Sequence, residues 1–341
     1  MRTTDRPGLV RPVRRDPRGL TGPTPEQTRG SAWRRTSRGL YVPAAVDGTC
    51  PEQRVLEAAP LVPRGGAVTG WAAVRWWTGS PWFDGTTPDG GLHPVAIVAP
   101  SVRVRSRAGV EVSEERLGRS DLRDRDGVVV ARPGSAVSYE VRRRTARVAD
   151  AVACLDMACG TDTVSLDELR EVAAEQAGWT GVERLRQALD LADENSWSPQ
   201  ESRARLAWVG AGFPQPRCNA PLFDRSGRHL GTPDLLDPVA GVVAEYDGRV
   251  HLGRRLQDVR REDLFREHGL EYVTTLAGDR GPQGFVIRLR RAYDRALAAR
   301  DRGEAPRWCA DPPPWWTSTE TVAQRRALSP AQRARFLRYR R

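Results

Sequence analysis

The sequence predicts a mixed α+β protein of more than one domain. Three observations lead there: residues 94–133 carry period-two apolar patterns, residues 145–192 carry apolar positions at helical spacing, and helices and strands alternate from Ser198 to Ala299. At 341 residues the chain is long enough for two or three domains, each with a core of its own.

In chain order, residues 1–31 are rich in Arg, Pro, Gly and Thr and are expected to form a flexible basic arm. Trp33–Ala44 (WRRTSRGLYVPA) reads as a short strand pair, Pro51–Ala59 as a helix, Val68–Trp77 as a second helix, and Gly79–Gly91 as a Gly/Pro-rich loop. A small sheet is expected from Pro94–Pro100, Val102–Ser106 and Gly127–Pro133. Helices follow over 145–159, Leu166–Ala177 and Gly181–Ala192. Asn195-Ser196-Trp197 marks a change. Beyond it come a helix (SPQESRARLAWVGAG), strands near Asn219–Phe223, Thr232–Leu236 and Gly241–Tyr246, a helix over Arg254–His268, a strand over Tyr272–Leu276 and a helix over Gln283–Ala299. The prolines of PRWCADPPPWW stop any helix there. Thr321–Arg341 holds seven Arg and no acid. The expected organisation is an arm (1–31), an α+β region (32–194), an α/β domain (195–303), and a Pro/Trp linker with an Arg-rich tail (304–341).

All 54 basic residues are Arg, set against 43 Asp and Glu, for a net charge of +11. Arg codons are GC-rich, so the Arg bias alone says little about mechanism, but the net charge favours a phosphate polyanion, with DNA as the expected partner. Five cysteines with no C-x-x-C pair imply neither a zinc site nor a disulfide framework, and Cys154 and Cys159 read as small core residues. The basic N-terminus lacks a following apolar stretch, and no run of eighteen apolar residues occurs, so a soluble cytoplasmic protein is expected.

The chemistry-bearing segment is GTPDLLDPVAGVVAEYDGRVHLG, Gly231–Gly253. Along a strand, Val243, Glu245 and Asp247 share one face and Val242, Ala244 and Tyr246 the other, which puts the two acids roughly 7 Å apart. Asp237–Gly241 is turn chemistry that folds Thr232–Leu236 back as a hairpin and brings Asp234 beside Glu245. Converging carboxylates repel, and with no Lys in the chain a hard divalent cation, Mg²⁺ or Mn²⁺, is the expected relief. The blander reading of each acid remains open beside this one: Asp234 caps a turn, and Asp247 precedes Gly248 in an ordinary Asp-Gly turn.

The elements SPQESR (Ser198–Arg203), PDLLD (Pro233–Asp237), EYDGRVH (Glu245–His251) and DVRREDLFREHGLEYV (Asp258–Val273), in this order, resemble the very-short-patch-repair-like branch of the PD-(D/E)xK nuclease superfamily. The resemblance covers residues 195–299 and implies a three-layer α/β fold and metal-dependent DNA hydrolysis. It implies that Asp234 and Glu245 bind the metal and that Glu201 is the first-helix acid. Asp247 stands where the motif has its Lys, a departure that either adds Asp247 to the metal shell or leaves water orientation to another residue. His251 is placed as a general acid or base, with a surface-loop histidine as its other reading, Arg260 or Arg261 as a phosphate clamp, and Arg203 among the nucleic-acid contacts. Glu201 keeps a second reading, since Ser198-Pro199-Gln200-Glu201 is also a helix-capping pattern.

Trp33–Ala44 and, more loosely, Ala67–Trp77 resemble the N-terminal region of AbiEi-type antitoxins, in which a winged helix binds operator DNA. The resemblance implies phosphate contacts from Arg34, Arg35 and Arg38, with a solvated basic hairpin as the other reading of these residues, and the helix-turn-helix that should precede the wing is missing or degenerate. Trp71, Trp76, Trp77 and Trp82 read as aromatic core rather than as base-stacking platforms. Two functions follow. One is a Mg²⁺-dependent DNA endonuclease; the other is an antitoxin-type DNA-binding regulator, with a partner toxin, whose nuclease fold is inactive.

Overall fold

The computed structural model describes residues 6–87, 89–100, 104–247, 255–276, 283–338 and 340. It is mixed α and β, and the chain divides into two compact units: Met1–Arg144 with Glu171–Val182, and Thr145–Arg170 with Glu183–Arg341. No helix among the described residues is long and apolar enough to cross a membrane.

In the first unit, β1 (Val13–Arg14) pairs with β3 (Leu40–Pro43), which also pairs with β2 (Trp33–Ser37). Part of the expected arm is therefore a strand, and the Gln53 side chain fastens Val10 through both its backbone N–H and its carbonyl. Helix α1 (Pro51–Ala58) follows. The expected helix from Val68 is instead β4 (Ala67–Thr69) running directly into α2 (Gly70–Thr78). The remaining strands are β5 (Val95–Val98), β6 (Val110–Ser113), β7 (Leu122–Arg125) and β8 (Val128–Ala131), in a sheet of order β6-β5-β4-β8-β7. A strand was expected over Val102–Ser106; its first two residues lie outside the described residues, and the pairing with β5 is made further on, by β6. Helix α3 (Pro133–Arg144) went unread in the sequence because its proline at the start looked like a strand end.

The tryptophans of α2 fill this unit. Trp71 and Trp76 are buried, and the indole N–H groups of Trp71, Trp76 and Trp77 donate to the carbonyls of Pro94, Arg125 and Ala131. Trp82, by contrast, is exposed. Gly85 shows how tightly this core is closed. Its φ is +71°, and a Cβ there would lie 2.4 Å from the Trp71 ring, which cannot swing away while its N–H is bonded. Gly85→Ala is expected to destabilise the first unit by about 1–3 kcal/mol, read as a lower thermal midpoint with unchanged secondary structure.

The second unit opens with α4 (Val148–Cys159), α5 (Leu166–Glu175), whose last residues are counted with the first unit, α6 (Val182–Leu191) and α7 (Pro199–Gly210). The expected boundary at residue 195 moves upstream because α4 is tied to α7: the buried Asp156 carboxylate accepts from Ser202 Oγ (2.6 Å) and from Arg205 Nη2 (2.6 Å). Strands β9 (Arg217–Cys218), β10 (Leu222–Asp224), β11 (His229–Gly231), β12 (Leu235–Asp237) and β13 (Val242–Asp247), helix α8 (Arg255–Glu267), strand β14 (Glu271–Leu276), helix α9 (Gln283–Asp301) and strand β15 (Trp308–Cys309) complete the α/β part. One sheet has order β14-β13-β12-β9 and the other β11-β10-β15.

Side-chain alternation on β12 and β13 separates two cores. Leu235, Val242 and Ala244 pack with Trp208 of α7 and with Phe285 and Leu289 of α9, whereas Leu236 and Val243 pack with Phe265 of α8, Tyr272 and Leu230. Helices thus cover both faces of the four-stranded sheet. The expected Arg-rich tail is also folded. Helices α10 (Val322–Arg326) and α11 (Pro330–Phe336) each begin with a capping box, and Arg325 is fully buried, donating to the carbonyls of Cys159 and Glu194. An Arg buried in this way is a structural cation and is not available to DNA.

Candidate functional site

The β12–β13 hairpin positions the site. Asp237 makes the turn: its carboxylate accepts from the backbone N–H groups of Val239 and Ala240, and Gly241 closes the turn at φ +72°. The resulting register pairs Leu235 with Ala244 and Leu236 with Val243. One step further toward the open end, Asp234 stands opposite Glu245, on the face of Leu236 and Val243. The Tyr246 N–H donates to Asp234 Oδ2 (2.7 Å) and fixes that carboxyl across the hairpin.

Glu201 reaches the same end of the sheet from α7. Ser198 Oγ accepts from the Glu201 N–H, so the capping half of its two readings is realised. The Glu201 carboxylate has a different set of partners: it accepts from the Trp197 N–H (2.8 Å) and from Asn219 Nδ2 (2.8 Å). Asn219 connects the two acids, because its own N–H donates to the Asp234 carbonyl (2.9 Å) while its backbone is held at φ +45°. Its side chain also donates to the Asn195 carbonyl. Asn219 Oδ1 is enclosed, with no hydrogen-bond partner among the described residues.

The electrostatics follow from this crowding. Burial, and then the Glu201 and Glu245 carboxylates, push the Asp234 carboxyl well above the usual carboxylate range, overcoming the Tyr246 N–H. Burial also raises Glu201, against the hydrogen bonds from Trp197, Asn219 and Ser198. Glu245 is different. Arg261 of α8 sits 2.6 Å from its Oε1, and the Tyr272 hydroxyl donates to its Oε2 at 2.8 Å. Burial first and Glu245 second hold the Tyr272 phenol far above its ordinary value, so it remains a donor.

The chain holds no Lys to neutralise the hairpin acids, but an Arg balances one of them. Arg261 does so for Glu245, from a helix sixteen residues on, where no sequence spacing announces it. Among the described residues, no group of three or more His, Cys, Asp and Glu side chains is placed to hold a metal ion. Asp247 continues β13 opposite Leu276, and its side chain and all of His251 lie outside the described residues. Of the Arg contacts expected for nucleic acid, Arg260 and Arg203 are exposed, the latter 3.8 Å from Asp150. In the first unit Arg34 is committed to Glu57 through two hydrogen bonds (2.9 and 2.6 Å), Arg35 donates to the Ser37 carbonyl, and Arg38 is exposed. The sequence reading missed Tyr272 and Asn219. Tyr272 was within reach: β13 and β14 run parallel with Val243 opposite Tyr272, the face that Glu245 shares.

Fold and site together define a mixed α+β protein with an acid-lined hairpin end at one end of the central strands of a helix-covered sheet. Two curated proteins of Mycobacterium tuberculosis, the uncharacterized proteins Rv2248 and MT2308, are each 30% identical to it over 210 residues, which is 60% of this chain and 76% of theirs. The chain belongs to their family. No family model matches it, and no solved structure does.

Proposed function

We propose that the second unit is a cytoplasmic metal-dependent endonuclease that hydrolyses DNA phosphodiesters, with Asp234 and Glu245 as the cation-binding pair. The observation that carries this reading is the placement of the Asp234 carboxyl, fixed by the Tyr246 N–H at the open end of the β12–β13 hairpin, where burial and then the Glu201 and Glu245 carboxylates suppress its ionisation. Mg²⁺ or Mn²⁺ fits such a place: the donors are hard oxygens, two carboxylates suffice when waters and substrate phosphates complete the shell, and Asn219 Oδ1 is an enclosed oxygen with no hydrogen-bond partner among the described residues. When bound, such an ion lowers the pKa of a coordinated water and stabilises charge developing on a phosphoryl group.

The side chains have separable tasks. Tyr272 orients Glu245, Asn219 and the Trp197 N–H orient Glu201, and the Tyr246 N–H fixes Asp234. Arg260 and Arg203 are exposed and able to meet backbone phosphates, which position DNA without reading its sequence. Purified protein is expected to nick supercoiled plasmid in Mg²⁺ and to stop when EDTA is added. Nicking that persists in EDTA would refute the assignment.

A second reading rests on a specific observation, the Arg261–Glu245 ion pair, which already balances one of the two acids. In it the protein is an antitoxin-type DNA-binding regulator, paired with a toxin, and the acids only shape the hairpin. Its mark is a gel shift that is indifferent to EDTA and falls steeply with salt, in the absence of any nicking.

A further inference from the structure

We infer that Arg261 occupies the cation's place at Glu245 and is drawn off by a nucleic-acid phosphate, so that divalent cation and nucleic acid bind this site cooperatively; the inference rests on the endonuclease reading above. The geometry of the pair carries it. The Arg261 guanidinium forms an ion pair with Glu245 Oε1 through Nη2, and the same Nη2 donates to the carbonyl of Thr232. It lies toward the Phe265 ring at 5.7 Å, over a floor that Gly231 leaves open: a Cβ at that glycine would meet Phe265 at 2.9 Å and Arg261 Nε at 3.7 Å. Nε is enclosed and has no hydrogen-bond partner among the described residues, so part of the guanidinium fork is unused in this arrangement.

The two partners are unequally free to move. The Glu245 side chain is 14% exposed and is held by the Tyr272 hydroxyl, while the Arg261 side chain is 39% exposed. Loss of the ion pair therefore releases the Arg and leaves the acid where it is. A divalent cation at Glu245 would sit beside a guanidinium of like charge, which weakens its binding at such separations. A backbone phosphate removes the conflict: it accepts the planar fork through two oxygens, and it supplies the cation with the ligands that two carboxylates leave vacant. Arg260, the exposed neighbour on α8, adds attraction in the same direction. By linkage, whatever factor DNA gains from the cation, the cation gains from DNA.

Two measurements on the full chain test the exchange. The first is Mn²⁺ titration by calorimetry without nucleic acid. Arg261→Gln is expected to bind on the order of tenfold tighter than wild type, and Arg261→Lys, which keeps the charge, to stay near wild type. The second is anisotropy of a labelled DNA duplex in saturating Mn²⁺ or in EDTA, in the cold to suppress cleavage. Wild type is expected to gain about tenfold in duplex affinity from Mn²⁺ and Arg261→Gln far less. Equal Mn²⁺ affinity in wild type and Arg261→Gln, with binding lost in Asp234→Ala, would overturn the exchange while leaving the endonuclease reading standing. Mn²⁺ bound by none of the variants, with or without duplex, would overturn that reading and the exchange together. The wild-type duplex measurement stands whether or not Arg261→Gln folds, and the absence of any Mn²⁺-dependent gain there would also overturn the proposal.

Discussion

Asp234→Asn is expected to lower DNA hydrolysis by on the order of 10²–10³-fold, the scale on which one electrostatic stabiliser of a transition state is worth removing, and at the same time to stabilise the cation-free fold. The two effects share a cause. The carboxyl is half-buried and crowded by Glu201 and Glu245, and it accepts a hydrogen bond from the Tyr246 N–H that an amide oxygen accepts as well. In the unfolded chain Asp234 ionises near the usual value of about 3.9, whereas in the fold it ionises higher. Below both values the acid is protonated in either state and costs nothing. As pH rises between them, the unfolded chain loses its proton first, and the fold loses stability until pH passes the folded value. The stability difference between Asp234→Asn and wild type should therefore be small near pH 4 and widen toward neutrality, by at least about 1 kcal/mol for each pH unit that separates the two values. Thermal or denaturant unfolding at several pH values, without divalent cation, reads it. A variant no more stable than wild type at pH 7 would contradict the crowding on which the site is built.

Arg205→Ala is expected to have the largest effect on folding, about 3–5 kcal/mol, enough to unfold the second unit in many conditions. Arg205 is 1% exposed at its side chain and Asp156 0%, with 2.6 Å between them. Ser202 Oγ and the Asp193 N–H complete the acid's partners, and the Arg also donates to the Leu191 carbonyl. Removing the cation leaves a carboxylate enclosed with two neutral donors and no counter-charge. Replacing both partners, as in Asp156→Leu with Arg205→Met, removes the uncompensated charge, so the double variant should be more stable than Arg205→Ala alone. Chemical denaturation followed by far-ultraviolet circular dichroism separates these outcomes. A double variant as unstable as the single one would mean that the pair's hydrogen-bonded shape, rather than its charge, holds α4 to α7.

Much of the second unit was legible because its signals are local. The Asp237–Gly241 turn and the small apolar residues of β13 fix a hairpin and its register, and the register alone places Asp234 opposite Glu245. Helices α7, α8 and α9 were legible for the same reason: a proline-led cap, charged periodicity and length. What escaped depends on contacts distant in sequence. Arg261 meets Glu245 only once α8 folds back over the sheet, and Asn219 becomes a link between Glu201 and Asp234 only through a left-handed backbone that a strand pattern does not suggest. Arg325 misled for a related reason: a run of Arg without acids looks like a solvated tail, yet this one finds carbonyls and Asp162 elsewhere in its unit. In the first unit, β4 was read as the first turn of α2 because a three-residue strand has too few alternations to show a period.

The most direct measurement of the central claim is an anomalous difference map from crystals soaked in Mn²⁺. A single strong peak in contact with both the Asp234 and Glu245 carboxylates, absent in Asp234→Asn crystals, is the expected result. Manganese bound elsewhere on the protein, with Arg261 still paired to Glu245 and no density between the two acids, would contradict it.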